Sequence, residues 1–178
     1  MSTRNLTMVV HRDYAQNHEL GFAQDPIALS ENSHVNMYLH HDGYPEWQGV
    51  QLAQWLKANF GILGDSSKLS AKLVHDMHYD SCYLYPSPED IDHEYTYVVW
   101  TGDRNDIWMS CYNQYTSKCV FVLTPDKVIE KHKGDMEYTN WKRGYSGRSI
   151  SNENYEAKYK ALLKVLRDNT PNYPSGYD

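Results

Sequence analysis

The chain has 178 residues, a net charge of -6, a hydrophobic fraction of 40% and an aromatic fraction of 13%. That length predicts one domain spanning residues 1–178, large enough to bury a core without disulfides or a structural metal. The acidic balance argues against a general nucleic-acid binder, and no stretch approaches the roughly 20 apolar residues of a membrane helix.

Three cysteines, Cys82, Cys111 and Cys119, are too few and too irregularly spaced for a disulfide framework and read as reduced thiols. The opening Met1-Ser2-Thr3-Arg4-Asn5-Leu6 lacks the apolar run of a signal peptide, so a soluble, cytoplasmic protein is expected.

Leu6 to Val10 reads as a first strand, and residues 11–33, polar and irregular, as a long loop. Val35, Met37 and Leu39 alternate as in a half-buried strand ending near His40. Asp42-Gly43 ends it, with Gly43 expected to supply an unusual backbone dihedral. Pro45 suits a first helical turn, and Leu52, Trp55, Leu56 and Phe60 recur at helical spacing, which predicts a helix over 46–60 with Gly61 as its C-terminal cap. A second helix is expected after a cap at Asp65 or Ser66, with Leu69, Leu73, Val74 and Met77 as its apolar stripe. Tyr79 to Tyr85 is a short strand or an extended link, followed by a turn-rich acidic loop.

Tyr95–Trp100, Ile107–Tyr112 and Cys119–Leu123 are expected strands, joined by connections too short for parallel crossovers. Residues 131–150 read as a second long loop, residues 152–168 as a last helix capped by Ser151, and residues 171–178 as a loose tail. The predicted class is α+β, an antiparallel sheet with two central helices and a C-terminal helix packed on one face.

The start Ser2-Thr3-Arg4-Asn5-Leu6-Thr7, together with Asp42-Gly43-Tyr44-Pro45 and Gly49, resembles a broad group of small phage and prophage proteins. These begin with a short Thr-Arg strand and carry a His-Trp-Asp-Gly-Tyr-Pro or similar box before a helix. Here His41 stands where that tryptophan would be, and the loop before the box is long. The resemblance covers about the first third of the chain. It implies a phage accessory protein acting in the bacterial cytoplasm on host physiology or defence, and it implies no particular reaction.

The box supplies the first candidate site, at His41, Asp42, Tyr44 and Trp47. Turn formation accounts for Gly43 and Pro45 but not for the adjacent His40, His41 and Asp42. If His40 and His41 continue the strand they point to opposite faces, and only one can line a pocket. Arg143-Gly144-Tyr145-Ser146-Gly147-Arg148 supplies the second candidate, in which Arg143 and Arg148 hold an anion and Tyr145 stacks on a base. It lacks the lysine and spacing of a P-loop.

His75 and His78 share a helical face, but a metal centre needs further ligands and none is suggested nearby, so no metal and no cofactor are expected. Ser2 as an N-terminal nucleophile and Cys111 as a thiol nucleophile have plainer explanations, a chain end and a small buried hydrophobe.

Two function classes fit. One is a non-enzymatic binding module for a host protein or a small anionic, nucleotide-like ligand, possible as a homo-oligomer. The other is a small hydrolase or transferase using His41 and Asp42 for acid/base chemistry, with Arg143 and Arg148 as anion holders. The first is preferred, because no complete catalytic constellation can be assembled from these residues.

Overall fold

Strand β1 (Asn5–His11) is buried on both sides, which places it at the centre of the molecule. The computed structural model describes residues 3–15, 22–77, 82–89, 91–103 and 105–132. In these residues β1 is joined by β2 (Ser33–Leu39), β3 (Cys82–Leu84), β4 (Tyr95–Thr101), β5 (Trp108–Asn113) and β6 (Lys118–Leu123). They form one six-stranded sheet in the order β3-β2-β1-β4-β5-β6. All neighbours are antiparallel except β1 and β4, which run parallel from Asn5↔Tyr95 to His11↔Thr101. The fold is therefore α+β with a mostly antiparallel sheet, and β4-β5-β6 form the expected meander.

Three α-helices, α1 (Val50–Ala58), α2 (Ser66–Met77) and α3 (Pro125–His132), accompany the sheet. Val9, Met37, Leu39, Tyr97, Val99, Met109, Cys111 and Phe121 project from one sheet face into a core with Leu52, Trp55, Leu56, Leu69, Leu73, Met77 and Val128 of the helices. Burying each such side chain contributes on the order of 1.5–3 kcal/mol, so this layer dominates stability.

The helices are also pinned by polar contacts. Trp55 Nε1 donates to Asp76 Oδ2 at 2.8 Å, tying α1 to α2, and Lys72, one turn earlier in α2, holds the same carboxylate at 2.9 Å. Lys57 of α1 forms a largely buried ion pair with Asp126 of α3. Asp65 caps α2, its Oδ1 accepting from the Lys68 amide at 3.0 Å.

The opposite face carries a second core. Leu6, Met8, Val10, Tyr38, Val98 and Trp100 pack there with Phe22 and Leu29. The expected loop over 11–33 is thus partly structured: a 3-10 turn spans Arg12–Tyr14 and a longer 3-10 helix spans Pro26–Asn32. A 3-10 helix repeats every three residues, so Pro26 and Leu29 fall on the same buried side. Two buried positions in a seven-residue segment are too few to set a period in the sequence, which is why the segment reads as irregular. Phe22 completes the cover, its ring 4.8 Å from that of Trp100.

Other expectations need correction. The helix expected over 46–60 opens as a π-helical turn, Pro45–Gly49, before α1 begins, and ends in a 3-10 turn, Phe60–Ile62. Gly61 does not cap α1. Asn59 does, donating from its side chain to the Trp55 carbonyl at 2.8 Å. Helix α3 occupies Pro125–His132, so the segment expected to be a loop from 131 starts inside a helix. The rest of the 131–150 loop, the helix expected over 152–168 and the tail 171–178 lie outside the described residues.

Candidate functional site

The box sits where β2 hands over to α1. β2 stops at Leu39, so His40 and His41 lie beyond the strand and escape its alternation. The expectation that they face apart is overturned: their rings meet edge to face at 4.8 Å, and both are exposed.

The unusual dihedral belongs to Asp42 (φ 54°), not to Gly43. A short polar side chain tolerates this left-handed conformation better than most. Gly43 is demanded by space instead. A β-carbon there would come 2.8 Å from both the Thr3 carbonyl oxygen and Asn5 Cβ. The Gly43 amide donates to that same Thr3 carbonyl at 2.8 Å, and its own carbonyl accepts from the buried Tyr97 hydroxyl at 2.7 Å. The turn is therefore clamped against β1 and β4 through its backbone, and His40, His41 and Asp42 are left facing outward. Tyr44 and Trp47 are half-buried, and the Tyr44 carbonyl accepts from the Trp47 and Gln48 amides, both at 3.0 Å, to start the π turn.

From His40 a continuous aromatic surface runs across the sheet edge. The His40 Nδ1 and Tyr38 hydroxyl are hydrogen-bonded at 2.7 Å. Tyr38 opposes Tyr83 in the β2–β3 register, and their rings lie 6.1 Å apart. Tyr85 meets the Tyr38 ring edge-on at 5.9 Å and 85°. Five rings are thus linked, His41 to His40 to Tyr38, with Tyr83 and Tyr85 each meeting Tyr38. Tyr83 and Tyr85 are 52% and 40% exposed. Burial pushes the Tyr38 phenol above its ordinary value, so it stays protonated.

Beside this run Arg4, Asp92 and Tyr115 form a closed triangle. Arg4 pairs with Asp92 at 2.7 Å, Tyr115 donates to Asp92 at 2.9 Å, and Arg4 donates to the Tyr115 oxygen at 3.1 Å. Below it His93 is 4% exposed. Its Nδ1 lies 2.7 Å from the Ile91 carbonyl, which can only accept, so the proton sits on Nδ1. Nε2 then accepts from the Thr96 hydroxyl at 2.7 Å, and that hydroxyl oxygen accepts from Gln114 at 2.9 Å. Burial lowers the His93 pKa, although the Ile91 carbonyl pulls the other way. The neutral ring matches every partner, so this floor is rigid at neutral pH.

The structure brings His41, Asp42, Tyr44 and Trp47 together at one junction. Arg143, Tyr145 and Arg148 lie outside the described residues. Sequence reasoning missed Arg4, Tyr38, Tyr83, Tyr85, Asp92 and Tyr115. The alternation Tyr83-Leu84-Tyr85 was a signal for two rings on one side of a strand, but the β2–β3 register was needed to bring Tyr38 to them.

Cys111 is fully buried and burial pushes its thiol up, which makes it a poor nucleophile. It opposes Phe121, while Cys119 opposes Tyr112 across a bulged register. Among the described residues no group of three or more His, Cys, Asp or Glu side chains is gathered closely enough to hold a metal, and no helix is long and apolar enough to cross a membrane.

Fold and surface together define an α+β protein with an exposed aromatic strip at one sheet edge. Comparison with protein-family models, with curated proteins and with solved structures found no match to the chain.

Proposed function

We propose that the chain is a non-enzymatic binding module that engages another protein through the aromatic strip along β2 and β3. One observation carries this reading. The exposed large apolar side chains among the described residues are Tyr14, Tyr83, Leu84, Tyr85 and Tyr115, and Tyr83, Leu84 and Tyr85 are consecutive at this edge, with both tyrosine rings against Tyr38. Tyrosine offers large contact area at low entropic cost and is enriched where binding energy concentrates. The rings are held in place by mutual packing and by the His40 hydrogen bond, so little ordering remains to oppose association. The resemblance of the N-terminal segment and box to phage proteins supplies the setting within the same proposal: an accessory protein acting on a host protein in the bacterial cytoplasm. A nucleotide-like ligand would instead depend on Arg143, Tyr145 and Arg148, which lie outside the described residues.

The test is affinity capture from host lysate by the wild type, by the double variant Tyr83→Ala/Tyr85→Ala and by Tyr14→Ala. The wild type and Tyr14→Ala are expected to retain the same partner, and the double variant is expected to lose it while its melting temperature stays within a few degrees of wild type. Equal capture by the double variant overturns the proposal.

A further inference from the structure

The aromatic strip has a chemical complement that can be read from the charges around it. Residues 13–56 contain no lysine or arginine, and neither do residues 73–103. These two stretches supply all of β2, the box, β3 and the loop that follows it. The second stretch carries Asp76, Asp80, Glu89, Asp90, Asp92, Glu94 and Asp103. In these stretches Asp42, in the box, and Glu89, in the loop after β3, are exposed carboxylates, as is Glu46. Among the described residues Arg4 is the cation placed beside Tyr38, and it is committed to Asp92 and Tyr115.

Ring geometry adds to the charge. The Tyr38, Tyr83 and Tyr85 planes are not parallel: Tyr38 makes 48° with Tyr83 and 85° with Tyr85. Tyr83 and Tyr85 are the exposed members of this cluster, and the electron-rich face of a tyrosine attracts a cation.

We propose that the segment docking on this strip is a lysine- or arginine-bearing stretch of a partner protein, its cationic side chains held over the Tyr83 and Tyr85 rings and flanked by Asp42 and Glu89. This deepens the binding-module reading and rests on it. Charge decides between macromolecules: stretches that carry exposed carboxylates and no lysine or arginine disfavour a phosphate backbone, so the occupant is a basic protein segment and not a nucleic acid. Cationic chains approach faster under the field of these carboxylates, and the approach weakens as salt screens it.

The experiment is a chemical-shift titration of the isotope-labelled full chain with three peptides: acetylated hexalysine amide, its hexaglutamate counterpart and an uncharged Gly-Ser hexamer. The lysine peptide is expected to shift Tyr38, Tyr83, Tyr85 and Glu89 resonances, with affinity falling as sodium chloride is raised. Tyr83→Phe keeps the ring face and is expected to bind as wild type. Tyr83→Leu keeps apolar area but removes the face, and is expected to weaken binding about two- to fivefold, with a similar loss for Tyr85→Leu. Both positions are exposed, so the variants test the surface without removing the core.

Equal response to the glutamate or Gly-Ser peptide, unchanged affinity in both leucine variants, or no response to the lysine peptide overturns the inference. Capture of a partner through Tyr83 and Tyr85 without a lysine-peptide response removes only the basic-segment inference. Loss of both results removes the binding-module reading as well.

Discussion

Asp42 shows how one residue sets the direction of the chain at the box. Its left-handed conformation turns His40 and His41 outward while the next amide is delivered to the Thr3 carbonyl. A β-branched residue meets steric resistance there that aspartate, asparagine and glycine largely escape. Asp42→Val is expected to lower stability by about 1–2 kcal/mol, and Asp42→Asn to leave it near wild type, as read by thermal melting.

His93 makes a second residue-scale prediction. Its folded pKa is lowered by burial, so near and below the ordinary histidine value of about 6.5 the unfolded chain takes up the proton more readily than the folded one. Stability therefore declines as pH falls from that value toward the lower folded value, and the decline stops below it. The melting midpoint is expected to be lower at pH 5.5 than at pH 7.5, with a smaller difference in His93→Gln. His132, whose pKa burial also lowers, adds a slope of the same sign.

The elements divide by how strongly their own periodicity announces them. β1, β2, β4, β5, β6, α1 and α2 were legible because alternation or a helical stripe ran through each. Helix α3 was not. Thr124-Pro125-Asp126 reads equally as the end of a strand, and the helix that follows is short, with Pro125 and Val128 as its buried residues. Its position comes from tertiary contact, above all the pair between Lys57 and Asp126, whose side chains are 10% and 11% exposed. The second Asp126 carboxylate oxygen finds no hydrogen-bond partner among the described residues, so Lys57 carries the neutralisation. Lys57→Met is expected to cost about 3–5 kcal/mol, because it leaves a buried carboxylate without its cation. Lys57→Met with Asp126→Leu is expected to recover most of the loss in denaturant melts, since both charges are then removed.

For the whole molecule, the sheet is covered on both faces by different means: α-helices on one, and Phe22 with the Pro26–Asn32 segment on the other. Phe22→Ala is expected to destabilise by about 3–5 kcal/mol, as judged by the denaturation midpoint, despite lying in a stretch that reads as loop. The candidate site was legible to the same uneven degree. The box announced His41 and Asp42 through local chemistry, whereas the tyrosine strip depends on strand register, which only the folded sheet supplies. The parallel neighbourhood of β1 and β4 was likewise hidden, because nothing within either strand names its partner.

That parallel neighbourhood also bears on how the protein is made. Asn5 leaves the ribosome about ninety residues before its parallel partner Tyr95 is synthesised. Until β4 emerges, the nascent β1 has only β2 beside it, and Leu6, Met8 and Val10 lack the Val98 and Trp100 they later pack with. The growing polypeptide must carry that sticky, half-dressed strand through much of its own translation, a natural client for any chaperone waiting at the exit tunnel.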